Sequence, residues 1–211
     1  MRVFTRLAVA ATAAGLILGT AAGTASAATA TARPDSHTSR AVPLLGGETS
    51  LTTAPGIAGV LLHNDIVPIA ALPGVAGAQS GPGGVSVTFS FPVTGGVINL
   101  KRLTGTINHT GGILFIDPAT GKQIAVSDFT INVGEHVLTA IVNGNPKARV
   151  PLLTLGLGSA TIRTGLHFVR VSGIVARLTK TAAGALDATF GTTLFTAGLE
   201  LGTASTMVLF R

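Results

Sequence analysis

The chain has 211 residues, a net charge of +6 and no cysteine, tryptophan or tyrosine. The absence of cysteine excludes disulfides, thiolate metal sites and catalytic thiols. Nucleic-acid binding is not expected, because the 14 Lys and Arg residues are scattered and the chain offers neither Trp nor Tyr for base stacking.

The first 27 residues have the pattern of a secretory signal peptide. Arg2 and Arg6 supply positive charge, Leu7–Leu18 is an apolar run too short to span a bilayer, and Ala25-Ser26-Ala27 is an A-x-A cleavage site. We expect cleavage after residue 27 and a protein that is secreted, either extracellular or loosely associated with the cell surface. No later apolar stretch reaches the length of a span, so no transmembrane segment is expected in the mature chain.

The mature chain divides into two parts by composition. Residues 28–47 are small, polar and aperiodic, which predicts a flexible N-terminal arm. Residues 48–211 are expected to form a single β-rich domain, since a chain of this length buries enough apolar surface to fold without a staple or a partner.

The domain is expected to begin with a short helix. The chain enters this helix through Pro55, whose missing N–H costs nothing in a first turn, and Thr52 or Thr53 can supply the cap. A strand is predicted over residues 66–72. Residues 73–84 are rich in Gly and Pro and predict a loop.

The middle of the chain alternates apolar and polar residues with period two, which is typical of strands with one buried face. The clearest segments are 85–91, 103–109 and 129–133. Leu103, Ile107 and His109 share one face of their strand. Phe129 and Ile131 are predicted to lie in the core.

Turn chemistry fixes two hairpins. Asp117–Lys122 combines an early Pro with a late Gly, as tight turns do. Asn143-Gly144 predicts a two-residue type I′ turn between strands 137–142 and 148–157. Replacing this Asn by Gly is expected to be nearly silent, and Pro146 is expected at a bulge or a strand edge.

These signals predict a mainly β fold, either an antiparallel β-sandwich or an open barrel, with two short helices. Turn signals recur about every ten residues, which favours antiparallel hairpins over alternating βαβ units. The second helix is predicted within Leu178–Phe190, a segment that resembles the beginning of the domain.

No catalytic constellation is present in the sequence. It lacks the G-x-S-x-G elbow, the H-E-x-x-H helix, the P-loop and the calcium loop. Asp117 is explained by its turn, Asp187 by an exposed helix face and Glu135 by a loop. We therefore expect no enzymatic activity and no metal site.

His109 is the least ordinary of the five histidines. Alternation places it on an apolar face immediately before the Gly111-Gly112 turn. Two interpretations stay open: a hydrogen-bonded histidine at a strand end, or a histidine that contacts a ligand. His109 is therefore the candidate cofactor-binding residue.

A succession of short segments resembles a known family. The segments are Phe89–Gly96, Leu103–Phe115, Val126–Ile131, Leu138–Ala140 and Val175–Leu186. Their order and spacing resemble the haem-transport-associated (HtaA-like) domain of exported and surface proteins of actinobacteria, over about residues 85–208. The resemblance implies a β-rich domain that binds haem on one face through an axial tyrosine supported by a histidine. His109 matches the place of the supporting histidine.

The chain departs from the family in lacking tyrosine, so the family's iron ligand is absent. Either His109 ligates iron alone or the scaffold is kept without the cofactor. We expect no cofactor, with haem as the alternative. The first functional hypothesis is a secreted, non-enzymatic domain that acts by surface association or by contact with a cell-envelope component or protein. The second is binding of haem or another small apolar ligand on one face of the β core.

Overall fold

The computed structural model describes residues 41–211, which form twelve strands and two helices. The predicted signal peptide and residues 28–40 of the predicted arm lie outside the described residues. The elements are β1 (Val42–Thr53), α1 (Ile57–His63), β2 (Val67–Ala71), β3 (Val75–Gly81), β4 (Gly84–Asn99), β5 (Thr104–His109), β6 (Gly112–Ile116), β7 (Gln123–Asn132), β8 (Val137–Val142), β9 (Asn145–Gly156), β10 (Thr161–Thr164), β11 (Phe168–Leu178), α2 (Lys180–Phe190) and β12 (Glu200–Phe210).

Eight of the described strands close into an antiparallel barrel. Their hydrogen-bonded order is β7-β5-β4-β1-β12-β11-β9-β8, and β8 pairs with β7 to complete the ring. β6 and β2 continue the sheet beyond β7, while β3 pairs with β4 and β10 with β11. The predicted mainly β fold with two short helices is confirmed. The β7–β8 pairing makes the barrel a closed one.

The core lies inside the barrel because one face of each strand points there. On β4, Phe89, Phe91 and Val93 alternate with more exposed neighbours and are all buried. Phe129 and Ile131 on β7 are buried, as predicted. The rings of Phe91 and Phe129 meet edge to face with centroids 4.7 Å apart. Burial of each such ring stabilises the fold by about 1.5–3 kcal/mol.

The two helices begin in different ways. α1 follows Gly56, whose φ of 85° is left-handed, and it has no side-chain cap. The predicted cap by Thr52 or Thr53 is wrong, because both residues belong to β1 and bond to β4. α2 is capped by Thr179, which accepts a bond from the N–H of Ala182. Within residues 41–211 no helix is long and apolar enough to cross a membrane.

The ordered domain begins before residue 48, where the sequence predicts the arm to end. β1 starts at Val42 and pairs with both β4 and β12. The glycines that suggest an arm serve this pairing instead. Gly47 has a φ of 136°, and a Cβ there would lie 2.0 Å from the carbonyl oxygen of Met207. The strand therefore needs a residue without a side chain at this position.

The predicted loop over residues 73–84 is wrong. Val75–Gly81 forms β3, which pairs with β4 from Val75 opposite Ser90 to Gly81 opposite Gly84. All seven side chains are exposed and most are small. Backbone hydrogen bonds hold such a strand without an apolar alternation, so its sequence carries the composition of a loop.

The Asn143-Gly144 turn is confirmed. Asn143 and Gly144 have φ of 50° and 68°, and Val142 pairs with Asn145. The register shifts before this pair, so Pro146 lies at a bulge as predicted. Asn143 does more than turn, because its Oδ1 accepts a bond of 2.8 Å from the N–H of Ala125 on β7.

Two further residues differ from expectation. Leu103 precedes β5, has a φ of 51° and is 52% exposed, so it does not share the inner face with Ile107 and His109. Asp187 is half-buried, and its Oδ1 accepts bonds from the hydroxyl of Thr192 and the N–H of Phe195. This carboxylate braces the chain after α2 and is not on an exposed helix face.

Candidate ligand cavity in the barrel interior

The barrel interior contains an apolar cavity of about 160 Å³, called here the barrel cavity. Its wall is formed by inward-facing residues of the strands together with residues of both helices. Examples are Phe89 of β4, Ile131 of β7, Leu153 of β9, Leu61 of α1 and Leu186 of α2. An eight-stranded barrel has room either for its own side chains or for one small ligand. In this barrel the side chains leave space.

Small side chains on the wall keep the barrel cavity open. Ala176 of β11, Ala204 of β12 and Ala182 of α2 stand among larger apolar residues, and Ala176 is fully buried. Each presents a methyl group where a longer side chain would fill the space. The cavity is therefore a consequence of residue size at a few inner positions.

The wall carries very little polarity. Within residues 41–211, the polar residues that line the barrel cavity are Thr49, Thr53 and His109, and none of the lining residues is Asp, Glu, Lys or Arg. An ion placed there would lose its hydration without gaining a charged partner. The cavity is therefore suited to uncharged ligands.

His109 anchors a buried hydrogen-bonded chain across the wall. Its Nδ1 lies 3.1 Å from the carbonyl oxygen of Phe129, and its Nε2 lies 2.7 Å from Oγ1 of Thr49. Oγ1 of Thr49 lies 2.7 Å from Oγ1 of Thr206. A carbonyl accepts only, so Nδ1 donates to Phe129, Nε2 accepts from Thr49, and Thr49 accepts from Thr206.

The imidazole of His109 is held neutral. Burial lowers its pKa, and the bond to the Phe129 carbonyl opposes this effect without overcoming it. The chain of bonds is complete with a neutral ring, because one ring nitrogen donates and the other accepts. His109 therefore adds no charge to the wall.

Thr53 differs from the other two polar wall residues. Its Oγ1 accepts a bond of 2.9 Å from the N–H of Val87. This bond uses a lone pair and leaves the hydroxyl proton of Thr53 available. Thr49 and His109 each commit their proton to the chain that runs from Thr49 to Phe129.

Sequence reasoning finds part of this site. Alternation places His109 on the inner face, and the structure confirms that face. Thr49 and Thr206 are missed because the sequence assigns β1 partly to an arm and predicts a strand after the second helix without bounds or an inner face. The Thr49, Leu51, Thr53 alternation is the signal that could have revealed β1.

Comparison with known proteins identifies the fold of this domain. No protein-family model and no curated protein matches the chain. Among solved structures, the C-terminal domain of HtaA from Corynebacterium glutamicum superimposes with a TM-score of 0.54 at 16% sequence identity, covering 81% of this chain and 99% of that one. The domain has the HtaA-like fold. The resemblance carried by the order of segments from Phe89 to Leu186 is thus confirmed at the level of the fold.

Two further structures from the same organism are similar to this domain. A histidine-to-alanine variant of the HtaA C-terminal domain, a domain-swapped dimer, has a TM-score of 0.47 and 17% identity over 72% of this chain and 90% of that chain. The heme-binding protein HtaB has a TM-score of 0.39 and 11% identity over 81% of this chain and 96% of that one.

As formed by the described residues, the barrel cavity lacks the groups that usually hold haem in a protein. The chain has neither Tyr nor Cys to ligate iron, and both ring nitrogens of His109 are already bonded. The barrel cavity is the size of a single ring, whereas haem is a tetrapyrrole with two carboxylates, and no cation of residues 41–211 lines the wall. The role of His109 as a haem contact stays a prediction.

The carboxylate of Asp117 has a structural role in its turn. The hydroxyl and N–H of Thr120 bond to Asp117 and lower its pKa, as the turn requires. Among the described residues, no group of three or more His, Cys, Asp and Glu could hold a metal ion. The expectation that the protein is not an enzyme stays a prediction.

Proposed function

We propose that this protein is an exported, non-enzymatic binding protein that accommodates a small apolar ligand in the barrel cavity. The carrying observation is the cavity of about 160 Å³, whose wall is mostly apolar and includes no charged residue from the described part of the chain. An engineered apolar cavity of about 150 Å³ stays dry and binds benzene or xenon. The barrel cavity therefore has the size and chemistry of a site for one small apolar molecule.

This proposal favours ligand binding over surface association. An empty apolar cavity costs stability, because its lining loses van der Waals contacts on one side. A ligand that fills the cavity restores those contacts and stabilises the folded state. The surface-association hypothesis gives no account of this space.

The direct test is titration of the purified protein with fluorobenzene, followed by ¹⁹F NMR. We expect saturable binding that is lost in Ala176→Leu, because a leucine there fills the cavity. Ala204→Leu tests the same point from β12, if the first variant fails to fold. Ala78→Leu, on the exposed strand β3, is the matched control and should bind like the wild type. Binding that survives both filling variants would place the ligand elsewhere.

Haem is the second candidate, favoured by the HtaA-like fold and by His109 on the cavity wall. Haem binding can be followed by the Soret absorbance, because the polypeptide does not absorb in that region. A saturable Soret shift that is lost in His109→Ala would support haem. No saturable shift would leave the apolar-ligand proposal standing alone.

Export is proposed from the signal-peptide pattern. Mature extracellular protein should begin at or near Ala28, which N-terminal sequencing checks. An N-terminus at residue 1 on extracellular material would contradict it.

A further inference from the structure

We infer that the ligand of the barrel cavity is an uncharged ring or short chain that carries one oxygen acceptor, such as a ketone, and that this oxygen accepts a hydrogen bond from Thr53. The inference rests on the proposed function and narrows it to a chemical class. It combines the size of the cavity, the charge of its wall and the protons that the wall has left to donate.

Size and charge set the outer limits. A cavity of about 160 Å³ matches the size of a molecule with one six-membered ring. Among the described residues, those that line the cavity include no cation or anion, so a carboxylate or an ammonium ligand would be desolvated without compensation. An uncharged ligand remains.

The hydrogen-bonding groups of the wall indicate which polar group the ligand carries. The proton on Nδ1 of His109 goes to the Phe129 carbonyl, and the hydroxyl proton of Thr49 goes to Nε2 of His109. Of the three polar wall residues in the described chain, Thr53 alone has a hydrogen-bonding proton that is not donated within the protein. Its Oγ1 accepts a bond from the N–H of Val87 and donates none. A ligand oxygen at Thr53 would accept this proton.

The position of Thr53 agrees with an end-on arrangement. Thr49, Leu51 and Thr53 share the inner face of β1, and all three line the barrel cavity. Thr53 is the last residue of that strand, next to the segment that leads into α1. Apart from Thr49 and His109, the remaining wall residues within 41–211 are apolar, so a ligand with its oxygen at Thr53 places its hydrocarbon mostly against apolar groups.

Two ligands of nearly the same shape test the inference. Cyclohexanone and methylenecyclohexane differ in one atom position, C=O against C=CH₂. We expect Thr53→Val to weaken cyclohexanone binding about fivefold, the loss of one net hydrogen bond, and to leave methylenecyclohexane binding within about twofold. Calorimetric titration measures both.

The controls separate the hydroxyl from the fold. Thr52→Val removes the neighbouring hydroxyl of β1, which bonds to Thr88 and does not line the cavity, and should change neither affinity. Thr53→Ser keeps the hydroxyl and should bind cyclohexanone like the wild type, including if the valine variant fails to fold.

The outcomes are distinguishable. Equal weakening of both ligands in Thr53→Val, or loss of cyclohexanone binding in Thr53→Ser with a folded protein, would overturn the role of Thr53 while the proposed function stands. Failure of the wild type to bind either ligand would overturn the proposed function and this inference with it.

Discussion

In the folded protein, the ring of His109 is buried in the wall of the barrel cavity and makes two hydrogen bonds to the protein in place of bonds to water. Burial holds its pKa in the folded state below the ordinary histidine value of about 6.5. The unfolded chain therefore binds a proton more readily than the folded one. It follows that the stability contributed by the neutral ring is fully present above pH 6.5 or so and declines as the pH falls through that value.

This sign gives a pH prediction. Urea unfolding at pH 7.5 and at pH 5.5 should show a loss of stability on the acid side in the wild type. His109→Gln should reduce that loss, since glutamine does not titrate. His167→Gln, at an exposed histidine, should keep the wild-type pH dependence. An unchanged pH dependence in His109→Gln would show that other groups cause it.

Phe129 supports a second prediction at the residue scale. It is 4% exposed and packs edge to face against Phe91. Phe129→Ala should lower the free energy of unfolding by about 3–5 kcal/mol, through lost transfer energy and a larger cavity. Phe168→Ala, at a ring 38% exposed, should cost less than about 1 kcal/mol. Denaturant melts of both variants check the ranking, and similar costs would contradict it.

Among the elements, the turn between β8 and β9 depends both on its own backbone conformation and on a hydrogen bond to another strand. Gly144 has a φ of 68°, which a β-branched residue adopts only under strain. Asn143 takes a φ of 50° and also accepts a bond from Ala125 on β7. The turn therefore ties the β8–β9 hairpin to the strand that closes the barrel.

Gly144→Val should cost about 1–3 kcal/mol through backbone strain. Asn143→Gly should cost about 1 kcal/mol, and not be silent as the turn pattern alone predicts, because it removes the acceptor of the Ala125 N–H. Asn143→Asp keeps that acceptor and should recover most of the loss. Urea melts of the three variants decide the matter; an Asn143→Gly variant as stable as the wild type would show that the bond to Ala125 contributes nothing.

The sequence predicts those elements whose signals are local. β8 has its predicted bounds, and the Asn143-Gly144 turn follows from residue chemistry alone. β3 is missed because backbone pairing with β4 holds it without apolar side chains. The start of β1 is missed because Gly47 indicates a loop by composition, although close approach to Met207 requires it.

The site is less predictable than the strands. Period two places His109 inside, but its partners Thr49 and Thr206 lie on strands distant in the chain and come together only on folding. A cavity depends on which inner side chains are small once all of them face one another. Neither feature has a local sequence signal.

At the scale of the whole molecule, closure of the sheet gives the account its central feature. The pairing of β7 with β8 turns an open sheet into a ring, and the inner faces of eight strands then enclose an apolar space. An open sheet with the same residues would expose this face to solvent. The HtaA-like fold thus forms the cavity, and the residues of its wall determine which ligands fit.

The most direct measurement is a crystal structure of the protein under xenon pressure. Xenon is apolar, needs no hydrogen bond and reports dry cavities of this size by its strong scattering. The account predicts a xenon atom in the barrel cavity, between Phe89 of β4, Ile131 of β7 and Leu153 of β9. A barrel interior filled by side chains or by ordered water, with no xenon in it, would contradict the account.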